Sequence, residues 1–148
     1  AVLTAVIVPF LILFFSVIVI RLADNLVFPS ASADIRPEAQ RLLDVAASVL
    51  NDVPHAIRVE GHTDDRSIAT LAFPSNWELS AARAASVVRL FTQHGVAAQR
   101  LAVIGFAEQR PVQSNRTPTG RNANRRVVVM ILGQETSALR ADADPARS

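Results

Sequence analysis

The chain has 148 residues, half of them apolar, and a formal net charge of only +2. This length suits one domain with its own hydrophobic core. Every basic residue is Arg, but the small positive excess is unlike the dense basic patch of a nucleic-acid-binding protein. Because there is no Cys, the sequence excludes disulfides, thiolate catalysis and Cys-based zinc sites.

The first residues form an uncharged run, Val2 to Ile20. As a helix these 19 residues would be about 28 Å long, close to the thickness of a bilayer core. We therefore predict a transmembrane helix; a buried strand or helix of a soluble domain is the alternative, and a signal peptide fits less well. The β-branched stretch Ser16 to Leu22 also predicts a strand. Both interpretations use Val17 to Ile20, so the apolar segment is placed at 1–16, and its extension to residue 20 stays open.

The next part of the chain predicts a loop, a helix and a strand. Residues Ala23 to Arg36 are rich in Asp, Ser, Asn and Pro, which is typical of a loop. Pro37 suits the first position of a helix that we expect to reach residue 50. The apolar residues of this helix recur at helical spacing: Leu42, Val45, Ala46 and Val49, with Leu43 and Leu50 beside them. Alternating residues then predict a half-buried strand over Ala56 to Glu60, followed by a turn at Gly61 to Asp65.

A second helix and two strands follow. Ser75 and Glu78 have the spacing of a capping box, and Gly95 is a natural stop, so a helix is predicted between them. Buried strands are predicted over Leu101 to Phe106 and over Arg125 to Leu132.

This order of elements predicts an α/β domain over residues 17–133. We expect a two-layer sandwich, with one mixed four-stranded sheet and two main helices on one of its faces. Residues 134–148 are polar and rich in Ala, Asp and Arg, and they are predicted to be a disordered tail.

Three polar residues could form a binding site. Asp64 follows the predicted second strand, at the sheet edge where ligands bind in open α/β sheets. Asn76 and Arg83 are seven residues apart, about two helical turns, so they share one side of the second helix. A carboxylate for an ammonium group and a guanidinium for a carboxylate would together suit an amino-acid ligand. The alternative is structural: Asp64 caps the turn, Arg83 pairs within the protein, and Asn76 caps the helix.

Catalytic interpretations have less support. His62, Asp64 and Asp65 could in principle hold a metal, but three ligands in one tight turn without a second cluster make a weak site. His62 itself is expected to be a structural hydrogen-bonding residue. Trp77 and Phe73 are expected to pack rather than stack on a ligand, and the strands lack the aromatic residues of an RNA-binding sheet.

Four motifs in this order resemble the OmpA-like peptidoglycan-binding domain. They are GHTDD (61–65), NWELSAARAASVV (76–88), LAVIGFAEQRPV (101–112) and GRNANRRVVV (120–129), and the resemblance covers residues 17–133. The insertion between the first two motifs, with FPSNWELSAARA, is similar to the branch of MotB-like flagellar stator proteins. The resemblance implies an OmpA-like fold and a noncatalytic cell-wall anchor that needs no cofactor.

The resemblance also implies the site residues. Asp64 and Arg83 would hold the two ends of meso-diaminopimelate in the peptidoglycan stem peptide, and the pair Arg125 and Arg126 would line or support the site. The expected ligand-binding residues are Asp64, Arg83, Asn76, Thr63, Leu79 and Arg126.

A stator-like protein would be a single-pass protein of the inner membrane with this domain in the periplasm. It would form a homodimer and meet a MotA-like membrane subunit. The apolar run carries no Asp that could bind a translocated proton, so proton conduction is not predicted for this sequence. A general envelope anchor outside any motor and a cell-wall hydrolase remain the alternatives.

Overall fold

A single mixed sheet organises the domain. The computed structural model describes residues 17–133, so the predicted segment 1–16 and tail 134–148 lie outside it. The strands are β1 (Val17–Ala23), β2 (Ile57–His62), β3 (Leu101–Gly105) and β4 (Arg126–Leu132). Their order is β1-β4-β2-β3, in which β4 is antiparallel to both neighbours and β2 is parallel to β3. The predicted mixed four-stranded sheet is therefore confirmed.

The residues that belong to both the predicted transmembrane helix and the predicted strand are part of the sheet. Val17 to Ile20 lie in β1, where Val17 is opposite Leu132 and Ile20 is opposite Val129 of β4. Between residues 17 and 133, no helix is both long and apolar enough to cross a membrane.

The helices are α1 (Asp24–Val27), α2 (Pro37–Asn51), α3 (Asn76–Gln93) and α4 (Pro118–Asn124). The boundaries of α3 follow the predicted signals. The Ser75 hydroxyl accepts from the Trp77 N–H at 3.2 Å and bonds the Glu78 carboxylate. At the other end Gly95 has a φ of 93°, a conformation that favours glycine. The short helices α1 and α4 were not predicted.

The core lies between the sheet and helices α2 and α3. Ile57 and Val59 of β2 are opposite Ile131 and Val129 of β4, and with Val127 they form one apolar face. This face packs against the buried residues of the two helices, which are Leu43, Ala47 and Leu50 of α2 and Ala84, Val87 and Leu90 of α3. The predicted arrangement of two main helices on one face is thus confirmed.

The helix α2 buries only one of the two apolar rows that its sequence contains. Leu42, Val45 and Val49, which recur at helical spacing, are each more than 60% exposed. The helix instead buries a neighbouring row that includes Leu43 and Leu50. Both rows are apolar, so periodicity alone could not choose between them.

Candidate functional site

Five of the six predicted site residues line one cavity of about 440 Å³, which we call the main cavity. These are Thr63, Asp64, Asn76, Leu79 and Arg83. The main cavity lies beside α1, at the carboxyl end of β2 and the start of α3. Helix α1 and its following loop add further lining residues, among them Asp24, Phe28 and Pro29.

The local fold explains why these residues meet. Thr63 and Asp64 come directly after β2, which is the end of the strand where the prediction placed the site. On α3, Asn76, Leu79 and Arg83 are separated by three and four residues, so they lie on one side of the helix. The turn after β2 therefore forms one wall of the main cavity, and one side of α3 forms another.

The Asp64 carboxylate already has two partners within the protein. Its Oδ1 accepts from the Arg66 backbone N–H at 3.0 Å, and its Oδ2 accepts from Nη1 of Arg125 at 2.5 Å. The residue is only 5% exposed. Asp64 is thus held in one orientation, with its charge compensated by an arginine.

The Arg83 guanidinium is held even more firmly. Its Nη1 donates to Oδ2 of Asp24 at 2.6 Å, and the other two nitrogens donate to the carbonyl groups of Ser32 at 2.8 Å and Pro29 at 3.3 Å. Among the described residues, two of its five N–H groups have no acceptor. Burial lowers the pKa of Arg83, and the Asp24 carboxylate opposes this shift; an arginine with such a partner stays charged.

Asn76 stabilises the turn that carries Asp64. Its Nδ2 donates to the Arg66 carbonyl at 3.0 Å and to the Glu108 carboxylate at 3.3 Å. The side-chain amide is therefore used to join the start of α3 to the turn after β2. Asn76 therefore lines the main cavity and also holds in place the turn that carries Asp64.

Arg126, the sixth predicted residue, is not among those that line the main cavity. Its guanidinium donates to the carbonyl groups of Asn124 and Arg110, each at 3.0 Å. The preceding residue, Arg125, lines the cavity in its place. Arg126 is opposite His62 in the sheet, and both belong to the face that points away from α2 and α3.

His62 is a structural residue in this fold. Its ring stacks on Phe106 with centroids 5.1 Å apart, and its Nε2 lies 3.2 Å from a Glu60 carboxylate oxygen. Burial, followed by the charge of Arg126, lowers the pKa of His62, while Glu60 raises it. His62 does not line the main cavity, so the hydrolase alternative gains no support from it.

Trp77 departs from its expected packing role. The side chain is half exposed and lines a smaller cavity of about 390 Å³ next to the main one. The two cavities share Ser67, Ile68 and Asn76.

Four charged residues of the main cavity were not among the expected ligand-binding residues: Asp24, Arg36, Arg66 and Arg125. Asp24 was assigned to a loop, although it is 4% exposed and pairs with Arg83 across 59 residues of sequence. Arg125 was expected only as one of a pair that would line or support the site, and it lines the main cavity. No periodic or spacing signal could connect Asp24 to α3, because the contact depends on the tertiary fold.

The main cavity combines both signs of charge with a positive excess. Four arginines (Arg36, Arg66, Arg83 and Arg125) and two aspartates (Asp24 and Asp64) line it. Such a surface can bind a small ligand that carries both an ammonium group and carboxylates.

Comparison with known proteins identifies the family. The model of the OmpA family matches residues 27–125, and the chain belongs to this family. In Bacillus subtilis (strain 168), YtxE is 38% identical over 122 residues, which is 82% of this chain and 50% of YtxE. Motility protein B of the same organism is 36% identical over 117 residues, which is 78% of this chain and 45% of that protein. The chain thus spans about half the length of these curated relatives.

A solved structure has the same fold. The cell wall anchor of the T6SS from Pseudomonas aeruginosa is 39% identical and superimposes with a TM-score of 0.76, over 80% of this chain and 82% of the anchor. Together with the match to motility protein B, these similarities confirm the predicted resemblance to the OmpA-like family close to MotB.

Proposed function

We propose that this domain anchors a protein to the cell wall by binding the peptidoglycan stem peptide noncovalently in the main cavity. The observation that carries the proposal is that Asp64 and Arg83, predicted to hold the ammonium group and the carboxylate of one ligand, line the same cavity. The proposal is also supported by membership of the OmpA family, because the resemblance of this chain to OmpA-like domains implies peptidoglycan binding.

The chemistry of meso-diaminopimelate suits this pair of side chains. The end of its side chain carries an ammonium group and a carboxylate on one carbon atom. Asp64 accepts from the ammonium group, and Arg83 donates two N–H groups to the carboxylate. Arg83 is already held by Asp24 and two carbonyl groups, so little side-chain entropy is lost when the ligand binds.

The cellular location, the oligomeric state and the partner in this proposal are based on the resemblance to motility protein B. In this proposal the domain is in the periplasm, tethered to the inner membrane by the apolar N-terminal residues. It works as a homodimer beside a MotA-like subunit in a flagellar stator. The similarity to the cell wall anchor of a T6SS supports a second candidate, an envelope anchor outside the flagellar motor.

Retention on insoluble sacculi that contain meso-diaminopimelate tests the proposal. We expect Asp64→Ala and Arg83→Ala to weaken retention about ten- to a hundredfold, because each removes one charge-assisted contact. Arg83→Lys should also weaken it, because lysine cannot form the two-pronged contact.

Asp65→Ala is the matched control, because Asp65 is an exposed carboxylate next to Asp64 and does not line the main cavity. Circular dichroism checks that each variant is folded. Equal retention of the Asp64, Arg83 and Asp65 variants would remove the proposed site.

A further inference from the structure

Four buried or half-buried charges that line the main cavity form a chain of contacts in which the sign alternates. Arg83 bonds Asp24 at 2.6 Å, Nε of Arg125 lies 3.6 Å from the other oxygen of Asp24, and Nη1 of Arg125 bonds Asp64 at 2.5 Å. We call these four residues the charge network. In this arrangement the Asp64 oxygen that would accept from a ligand ammonium group already accepts from a guanidinium.

The two arginines of the charge network differ in their freedom to move. The Arg83 side chain is 5% exposed, whereas the Arg125 side chain is 33% exposed. Arg83 is held by two backbone carbonyl groups as well as by Asp24. The third contact of Arg125 is a hydrogen bond from Nη2 to Oδ1 of Asn122 at 3.3 Å, towards the exposed side.

The backbone on either side of this side chain is well held. The Arg125 N–H donates to the Arg121 carbonyl at 3.1 Å, and the Arg125 carbonyl accepts from the Asp24 N–H at 3.2 Å. A movement of Arg125 is therefore confined to its side chain, which can leave Asp64 while Nη2 remains bound to Asn122.

We infer that Arg125 is an internal competitor for Asp64, which occupies the position of the ligand ammonium group until the stem peptide displaces it. This inference rests on the proposed function of the main cavity. A guanidinium and an ammonium group on the same oxygen of Asp64 repel each other, which favours an outward position of the Arg125 side chain once the ammonium group has arrived. Displacement of Arg125 lowers the affinity and restricts binding to ligands that present a cation to Asp64.

The inference predicts that removing the guanidinium strengthens binding. Partly exposed ion pairs are weak, so the expected gain for Arg125→Gln is about two- to fivefold in affinity for native sacculi, measured with the full chain in mild detergent. Arg125→Lys keeps a cation near Asp64 and should bind like the wild type. Arg116→Gln is the matched control and should bind like the wild type, since Arg116 is an exposed arginine that does not line the main cavity.

Sacculi whose free amino groups have been acetylated provide a second arm. If the ligand ammonium group replaces Arg125, the gain of Arg125→Gln disappears on acetylated sacculi. In the wild type, the side-chain NMR resonance of Arg125 should also shift when a tripeptide containing meso-diaminopimelate is added. This measurement needs no variant, so it tests the inference even if Arg125→Gln does not fold.

The outcomes separate the inference from the proposed function. If Asp64→Ala loses retention but Arg125→Gln binds no tighter than the wild type, Arg125 is either a ligand contact or not involved in binding. The inference is then wrong, while the proposed function stands. An Arg125 resonance that stays unchanged at saturating tripeptide also overturns the inference. If the wild type and Asp64→Ala are retained equally, the proposed function fails and the inference fails with it.

Discussion

Removal of the Asp24 carboxylate should destabilise the domain, because it leaves the Arg83 guanidinium buried without its counter-charge. In the substitution Asp24→Ala, both partners of the lost bond come from side chains that are at most 6% exposed. The two carbonyl groups that also accept from Arg83 remain in place. They keep part of the guanidinium hydrogen-bonded but do not neutralise its charge.

The expected magnitude follows from this environment. Loss of one partner of a buried ion pair costs about 3–5 kcal/mol, and the remaining carbonyl contacts place Asp24→Ala at the lower end, about 3 kcal/mol. In a domain of this size about 1 kcal/mol changes the Tm by about 4 °C. The Tm of Asp24→Ala should therefore be about 12 °C below that of the wild type.

Thermal unfolding followed by circular dichroism measures this difference. Asp34→Ala is the control, because it removes an exposed carboxylate from the loop that follows α1, and its Tm should stay within about 2 °C of the wild type. A double variant, Asp24→Ala with Arg83→Met, should lose less stability than the sum of the single changes. A Tm decrease below about 4 °C for Asp24→Ala would refute the assigned importance of this ion pair.

Two further predictions concern the sheet. In Gly61→Ala the new Cβ would overlap the Ser80 carbonyl oxygen of α3 and push α3 away from β2. We expect the free energy of unfolding in urea to decrease by about 3 kcal/mol and retention on sacculi to weaken. Unchanged stability would contradict the close packing of β2 against α3. Because the pKa of buried His62 is lowered from 6.5, the unfolded chain binds more protons than the folded chain at acidic pH. Stability is then full above pH 6.5 and falls as the pH decreases. His62→Gln should weaken this fall below pH 6.5, and an identical fall in the variant would assign it to other groups.

Much of the fold could be predicted because local signals agreed with the final structure. Ser75 and Gly95 mark the limits of α3, and the apolar stretches of β2 and β4 are buried as expected. In contrast, Val17 to Ile20 of β1 and Val103 of β3, a strand predicted to be buried, are exposed. The choice between two apolar rows on α2 could not be made, because both have helical spacing and only the tertiary contact with α3 and the sheet decides it.

The candidate site was predictable to the extent that it depends on local spacing. Asn76 and Arg83 share one side of α3, and Asp64 follows β2, so these residues could be placed together. The contribution of Asp24 could not, since it comes from a contact between distant parts of the chain. The roles of Arg125 and Arg126 depend on where β4 begins: neighbouring residues point to opposite faces of a sheet, and the strand starts at Arg126 rather than Arg125.

The most direct test of the central claim compares two tripeptides that differ in one group. One stem tripeptide ends in meso-diaminopimelate, and the other ends in lysine, which keeps the ammonium group but lacks the neighbouring carboxylate. Isothermal titration of the wild-type chain should give an affinity about ten- to a hundredfold higher for the diaminopimelate tripeptide, because only that ligand engages both Asp64 and Arg83. Equal affinities for the two tripeptides would contradict the account.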